Sequence, residues 1–407
     1  MKILILAQHY YPEEVSGAIL ATQLAQDLSA KGMDVTFLTS APSYPAGKVF
    51  PGYRNLFYQI EWQNGVRVIR TWSYISPSKS FFIRIINQIT FSISCFFVGF
   101  FSGKYDIIFS YSPPLPLGIT ASWLSSLKRI PWILRVEDLF PDTAIAGGVL
   151  RNKTAIQILY WVEKRIYKKA THISLISETF KDILISKEID LNKISVTPVW
   201  ADPKEIQPSE KENSFRKQQG VNGKFIILYT GNIGHTSALE DILLVAENLK
   251  NNSDFVFFII GEGIKKNQLE LFAREKELNN IHFLPYQKRE LIQEILAAAD
   301  LCLVTISHEV SDFSLPSKIF TYMASARPIL AISPENSEVA NLIKKANCGI
   351  NVVNGDIEDI IASIQRLYHD PELCTEMGVN GRGTLEEKYS RNVCINAFRQ
   401  IILANVN

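Results

Sequence analysis

The sequence predicts an α/β protein of two similar domains, each built on a parallel sheet. Three observations carry that prediction. Short runs of Ile, Leu, Val and Phe recur with little polar alternation, as strands covered on both faces require. Helical patterns fall between them, and strands alternating with helices imply parallel pairing. The alternation loosens once, over 202–223, and then starts again, in a chain whose 407 residues exceed one ordinary core.

The first strand is expected at 2–7, directly after Met1. Its apolar run is too short for a signal peptide and lacks the small-residue cleavage pattern. A helix over 18–31 follows, stopped by Gly32. Strands at 34–39, 66–71, 107–110, 132–136, 172–176 and 195–198 complete the first half, with a helix over 152–169 opened by an Asn152 cap. One stretch is membrane-like, 89–101, preceded by Phe81, Phe82, Ile85 and Ile86 and interrupted by Arg84, Asn87 and Gln88. Its unbroken part falls short of the ~20 residues a spanning helix needs, so none is expected. The second half offers strands at 225–229, 255–260, 281–284, 301–305, 329–332 and 349–352. Helices are expected between them at 239–250, 265–277, 290–298 and 357–368, and a last one at 392–403. The expected domains are 1–202 and 203–388, with 389–407 packing back on the first.

Composition excludes several function classes. Apolar content of 47% with 20% charge is that of a globular chain. The 42 basic and 41 acidic residues leave no global field for nucleic acid. Five cysteines, Cys95, Cys302, Cys348, Cys374 and Cys394, show no pair spacing, so neither a disulfide framework nor a zinc site follows. A reducing, cytoplasmic setting is expected.

The candidate sites all sit where strand runs end. Residues 314–330 follow the 301–305 strand and a polar loop, then enter a helical pattern opened by Pro316. A helix start at a strand end offers backbone N–H groups and a dipole to an anion. Ser317 adds a hydroxyl and Lys318 a positive charge; the plain alternative is an ordinary helix start with a solvated lysine. Gly231, Asn232 and Gly234 follow the first strand of the second half, and Gly261 and Glu262 follow the next. Such glycine loops turn N–H groups toward phosphate. In the first half, His9 and Tyr10 precede Ser16 and Gly17, where backbone can approach a ligand closely, although no dinucleotide fingerprint is present. Glu137, Asp138 and Asp142 end the 132–136 strand; they suit sugar hydroxyls or a proton, while Asp142 alternatively caps the next helix. His172 reads as a packed histidine. The cluster Lys164, Arg165, Lys168 and Lys169 is first a solvated face, and with the apolar 81–101 stretch it suits an anionic membrane surface.

Through the segments HYYPEEVSGA, SAPSYPAGKVFPGYR, GVRVIRTW, VEDLFPDTA, TPVWADP, LYTGNIG, IIGEG and SLPSKIFTYMA, nearly the whole chain resembles family 4 glycosyltransferases of the GT-B fold. It is similar to the bacterial enzymes of colanic-acid, O-antigen and capsule assembly, including the N-acetyl-L-fucosaminyltransferase type. The resemblance implies two Rossmann-like domains facing across a cleft, with a nucleotide-sugar, uridine-linked, on the second. It implies a lipid-linked saccharide acceptor on the first, transfer with retention, and neither cofactor nor obligatory metal. The implied setting is the inner face of the cytoplasmic membrane. The implied donor side comprises Gly17, Gly231, Asn232, Gly234, Gly261, Glu262, Tyr286, Leu315, Pro316, Ser317 and Thr321. The acceptor side comprises His9, Ser16 and Asp142, and Lys318 and Asp138 are catalytic. Two departures stand out. The family's paired glutamates correspond here to Phe313 and Thr321, and its arginine and lysine after the strand correspond to Asn232 and to Thr236 or Ser237, which shifts charge stabilisation onto Lys318. The rival readings are a sugar-nucleotide epimerase of the same architecture and a non-catalytic sugar-nucleotide binder.

Overall fold

The structure, a computed structural model, describes residues 1–78 and 80–406. The chain forms two compact units: Met1–Pro198 joined by the segment from Ile395 onward, and Val199–Cys394.

The first unit runs β1 (Lys2–Leu6), α1 (Ser16–Ala30), β2 (Asp34–Ser40), β3 (Gln59–Gln63), β4 (Val66–Thr71) and α2 (Phe81–Phe101). It continues through β5 (Ile107–Ser112), α3 (Leu115–Lys128), β6 (Trp132–Val136), α4 (Asp142–Ala146) and α5 (Lys153–Lys169). β7 (His172–Leu175), α6 (Glu178–Ser186) and β8 (Ile194–Val196) close it. Its eight strands are ordered β3-β4-β2-β1-β5-β6-β7-β8, with only β3 antiparallel to its neighbour. The order reverses between β1 and β5, and the carboxyl ends of strands at such a point are where open sheets take ligands. β1, β5 and β6 are apolar and buried almost throughout because helices cover both faces.

The second unit runs α7 (Ser214–Gln219), β9 (Phe225–Thr230), α8 (Glu240–Leu249), β10 (Phe255–Ile260), α9 (Lys266–Glu275), β11 (Ile281–Leu284) and α10 (Arg289–Ala298). Then come β12 (Leu301–Thr305), α11 (Lys318–Ala324), β13 (Ile329–Ile332), α12 (Glu338–Ala346) and β14 (Gly349–Val352). The helices α13 (Ile357–His369), α14 (Pro371–Thr384) and α15 (Arg391–Val406) end the chain. Six parallel strands are ordered β11-β10-β9-β12-β13-β14, with the reversal between β9 and β12. Ile227, Phe257, Leu303 and Leu330 lie in its buried core.

Three elements depart from the expectations. β3 pairs only with β4 and alternates polar with apolar residues, so no continuous apolar run marked it. α2 is continuous through the interruptions and, by length and composition, long and apolar enough to cross a membrane. Only 28% of its most apolar window is buried, on the side packed against α3, β2 and β4. The segment 202–223 is no loose linker: Asn213 caps α7, and the buried Arg216 guanidinium bonds the Ala298 carbonyl and pairs with Asp300 at 2.5 Å. The last helix, α15, starts in the second unit and joins the first from Ile395 onward, where the Phe398 ring lies 5.7 Å from Phe109 and 5.1 Å from the Arg135 guanidinium.

Candidate active site

In the second unit, β9 and β10 end in glycines because their backbones touch. A Cβ on Gly261 would strike the carbonyl oxygen of Gly231, and both residues take positive φ, 158° and 136°. The Gly231 amide donates to the Ile260 carbonyl at 2.9 Å, and the Ile233 amide to the Glu262 carbonyl at 2.9 Å. The loop therefore presents fewer N–H groups than its glycines imply: those of Asn232 and Gly234 are left without a protein acceptor among the described residues.

α11 is also tighter than the sequence indicates. It begins at Lys318, two residues after Pro316, and spans seven residues. Its first turn is closed by Ile319 N–H to Pro316 O and Phe320 N–H to Ser317 O, each 3.2 Å, which consumes two of the amides expected to face an anion. The Tyr322 hydroxyl accepts from the Thr230 amide at 2.9 Å and ties α11 to the end of β9.

Those contacts aim Lys318 at the glycine loop. A Cβ on Gly231 would lie 2.8 Å from Lys318 Nζ, and the ammonium stands 3.5 Å from the centre of the Tyr229 ring. The Tyr229 hydroxyl donates to the Asn232 carbonyl at 2.7 Å, holding the ring in place. No carboxylate among the described residues pairs with Lys318, and burial pushes its pKa well below the usual lysine value. An uncompensated cation beside strand-end glycines is built to meet an anion. The sequence missed a neighbour: Lys266 Nζ donates to the Gly261 carbonyl at 3.1 Å and pairs with Glu262 at 2.7 Å. Thr321 sits one turn into α11 and Tyr286 follows β11, while Ser237 takes a structural role, donating to the Gly234 carbonyl at 2.7 Å.

In the first unit, the loop after β1 meets the end of β6. Gly17, the second residue of α1, faces Glu137: a Cβ there would be 3.5 Å from Glu137 Oε2. Asp138 is pushed up to about 7, first by burial and then by the Glu137 carboxylate. Burial raises Glu137 too, against the pull of Arg135, whose Nε is 3.9 Å away. His9 Nδ1 lies 2.8 Å from Glu13, whose other oxygen accepts from the Ser43 and Tyr44 amides at 2.8 Å each. Burial alone would raise Glu13, but the His9 contact and those amides outweigh it and hold the carboxyl low. Glu13 carried no signal in sequence, since its partners are tertiary. Asp142 does not take the alternative role of a helix cap. It opens α4, pairs with Lys187 at 2.5 Å and accepts from the Tyr160 hydroxyl at 2.9 Å. Engaged in this way, it holds the loop together. His172 is packed, its Nε2 2.8 Å from the Ser195 hydroxyl.

Comparison with known proteins accounts for both units. Residues 18–200 match the family described as "Glycosyl transferase 4-like domain", and residues 210–384 match "Glycosyl transferases group 1". This chain belongs to the family 4 glycosyltransferases of the GT-B fold. It is 24% identical over 408 residues to the putative colanic acid biosynthesis glycosyl transferase WcaI of Escherichia coli, covering 98% of this chain and 100% of that one. It is 26% identical to the probable glycosyltransferase WbjE of Pseudomonas aeruginosa, covering 72% of this chain and 73% of that one. Among solved structures, sucrose-phosphate synthase from Thermosynechococcus elongatus superposes with a TM-score of 0.77 at 17% identity, covering 99% of each chain. HepE of Anabaena in complex with UDP-glucose gives 0.74 at 14% identity over 99% of this chain and 100% of that one. These likenesses carry the fold. As a glycosyltransferase, the protein must stabilise a departing anion and receive a hydroxyl nucleophile. Its second unit holds an uncompensated lysine at strand-end glycines; its first holds a carboxylate pair at a strand end.

Proposed function

We propose that this glycosyltransferase moves a sugar from a UDP-sugar to a lipid-linked saccharide, with retention of configuration, in surface polysaccharide assembly. The observation that carries this reading is Lys318, a buried amine with no carboxylate partner among the described residues, over Tyr229 and against Gly231. Breaking the anomeric C–O bond sends its electron pair to the diphosphate oxygen. Lys318 and the amides of Asn232 and Gly234 stabilise that charge, with Lys266 nearby, in the preorganised manner that dominates many enzymes. The second unit is the donor unit in this reading, with Glu262, Tyr286, Leu315, Pro316, Ser317 and Thr321 around the nucleotide-sugar. The first unit holds the acceptor through His9, Ser16 and Asp142, with Asp138 assisting at the reacting hydroxyl. The acceptor oxygen bonds the anomeric carbon on the face the leaving group departs, and its proton passes to the leaving phosphate.

The UDP choice is supported by the solved HepE complex with UDP-glucose, and the polysaccharide setting by the colanic-acid relative. A lipid-linked acceptor is supported by the apolar exposed side of α2 and the basic residues of α5. The test is thermal stabilisation against UDP-, GDP-, ADP- and dTDP-sugars, since a ligand of the folded state raises Tm. A shift with UDP-sugars that disappears in Lys318→Ala is expected. No shift with any of them overturns the donor site. In turnover, Lys318→Ala is expected to cost ~100-fold or more. Transfer that requires an acceptor separates this reading from an epimerase.

A further inference from the structure

The first unit carries a second feature that the transfer chemistry does not use. Tyr11, Tyr44, Trp72 and Tyr74 are all large aromatics left 39–55% exposed. They are not scattered. Tyr11 follows β1, Tyr44 follows β2, and Trp72 and Tyr74 follow β4. The order β4-β2-β1 makes these strands neighbours and parallel, so all four residues stand at the same, carboxyl, end of the sheet. Three adjacent strands at the usual spacing set a row about 10 Å long.

The three loops are joined into one surface. The His9 and Tyr44 rings meet edge to face with centroids 5.6 Å apart. Gly47, in the loop after β2, packs so closely on Ser76 and Pro77, in the loop after β4, that a side chain there would strike them. The buried Arg70 guanidinium donates to the Ser40 carbonyl at 3.0 Å and the Tyr11 carbonyl at 2.6 Å, bridging the other pair. The backbone beneath the aromatics is clamped by side chains. The Tyr11 amide donates to the Thr22 hydroxyl at 3.0 Å, and the Tyr44 amide to Glu13. The Tyr74 amide donates to the Thr90 hydroxyl at 2.9 Å, and its carbonyl accepts from Asn87 at 2.8 Å. Exposed rings on fixed backbone lose little entropy on binding.

The chemistry of the row selects its occupant. Exposed charge on the three loops is limited, among the described residues, to Glu14, Lys48 and Arg54, a net single positive charge. One net positive charge spread over three loops is too sparse to hold an anionic surface or a nucleic acid. Rings with phenolic hydroxyls in a near-neutral setting suit a partner with apolar C–H faces and many hydroxyls, which describes a sugar chain. The row crosses three strands, so it takes more than one sugar ring.

We propose that Tyr11, Tyr44, Trp72 and Tyr74 form an extended saccharide subsite that reads the length of the acceptor glycan beyond the sugar being modified. This rests on the glycosyltransferase reading above and adds the acceptor class: a chain of two or more sugars.

The test uses the full chain on an array of bacterial oligosaccharides of one to five sugars, with nucleotide-sugar Tm shifts measured in parallel. Binding concentrated among glycans of two or more sugars is expected. Tyr11→Ala and Tyr74→Ala should each weaken it about tenfold, a ring's worth of stacking and burial. Tyr11→Phe and Tyr74→Phe should restore it, since the ring face makes the contact. Trp62→Ala, on exposed β3 away from the row, should keep it and controls for folding. The proposal is overturned if bound glycans survive both alanine substitutions, if only single sugars bind, or if no glycan binds a protein whose Tm still rises with a nucleotide-sugar. Loss of that Tm response instead overturns the donor assignment itself.

Discussion

At the residue scale, Lys318 carries two opposed demands. Its folded pKa is depressed by burial, so between that value and its unfolded value the unfolded chain binds more protons. Stability therefore rises with pH across that window, and below the unfolded value burial of the amine costs stability. Lys318→Met should raise Tm at pH 7 while removing the Tm response to UDP-sugars; a lowered Tm would mean the ammonium is compensated in the free protein. Asp138 poses the complementary case. Its carboxyl is raised to about 7 by burial and by Glu137, so the folded state binds the extra proton between the ordinary carboxylate range and pH 7. Stability falls as pH rises through that window, and Asp138→Asn should stabilise the protein at pH 8 but not at pH 3. Glu137→Gln removes a neighbouring negative charge and should lower the Asp138 pKa. A limb near pH 7 in the pH–rate profile should then move to lower pH. A limb that stays in place would show that another group sets it.

At the element scale, legibility followed burial. β9 and β10 read directly from FIILY and FVFFII because both faces are covered. β3 did not, because an edge strand with Trp62 exposed has no reason for a continuous apolar run. α2 was obscured by Arg84, Asn87 and Gln88, yet Asn87 is there for a tertiary purpose, bonding the Gln8 side chain and the Tyr74 carbonyl. The strand-end glycines and Lys318 were visible as a pattern. Glu13 and Lys266 were not, since what marks them is a partner brought in by folding. The same applies to the anchor of α4 and α5, where Lys187 reaches Asp142 at 2.5 Å and Glu163 at 2.9 Å. Glu163 is 1% exposed, so Lys187→Met strands a buried carboxylate and should cost about 3–5 kcal/mol in chemical denaturation. Protonation relieves the stranded charge, so the loss should be smaller at pH 5 than at pH 8. Equal losses at both would assign the effect to lost packing.

At the scale of the whole molecule, alternation of strand and helix was enough to read two sheets of one plan, because each repeats the same burial rule. Which surface of a unit meets a partner is written in exposure, which sequence shows poorly. Ile89, Ile93, Phe97 and Phe101 recur every four residues on α2 and are 42–79% exposed, forming one stripe. Trp123 and Leu127 of α3 extend it, with Trp123 meeting Phe96 at 5.8 Å, and α3 in turn packs on α5. There Arg165 lies 4.6 Å over the exposed Trp161 ring, beside Lys164, Lys168 and Lys169. The only acidic residue on these three helices is Glu163, neutralised by Lys187. An apolar stripe edged by cations and interfacial tryptophans suits an anionic bilayer surface, and in the proposed function this face brings the enzyme to its lipid-linked acceptor. Each surface-adjacent cation contributes about 1 kcal/mol. Neutralising Lys164, Arg165, Lys168 and Lys169 together should therefore weaken binding to anionic vesicles about a hundredfold or more, even with Lys164 part-engaged by Glu188. Raising salt should weaken the native protein in the same direction. Phe97→Ser with Phe101→Ser should weaken binding at every salt concentration, since the area term is not screened. Undiminished binding by the neutralised variant would remove the charge from the account and leave the stripe alone to explain it.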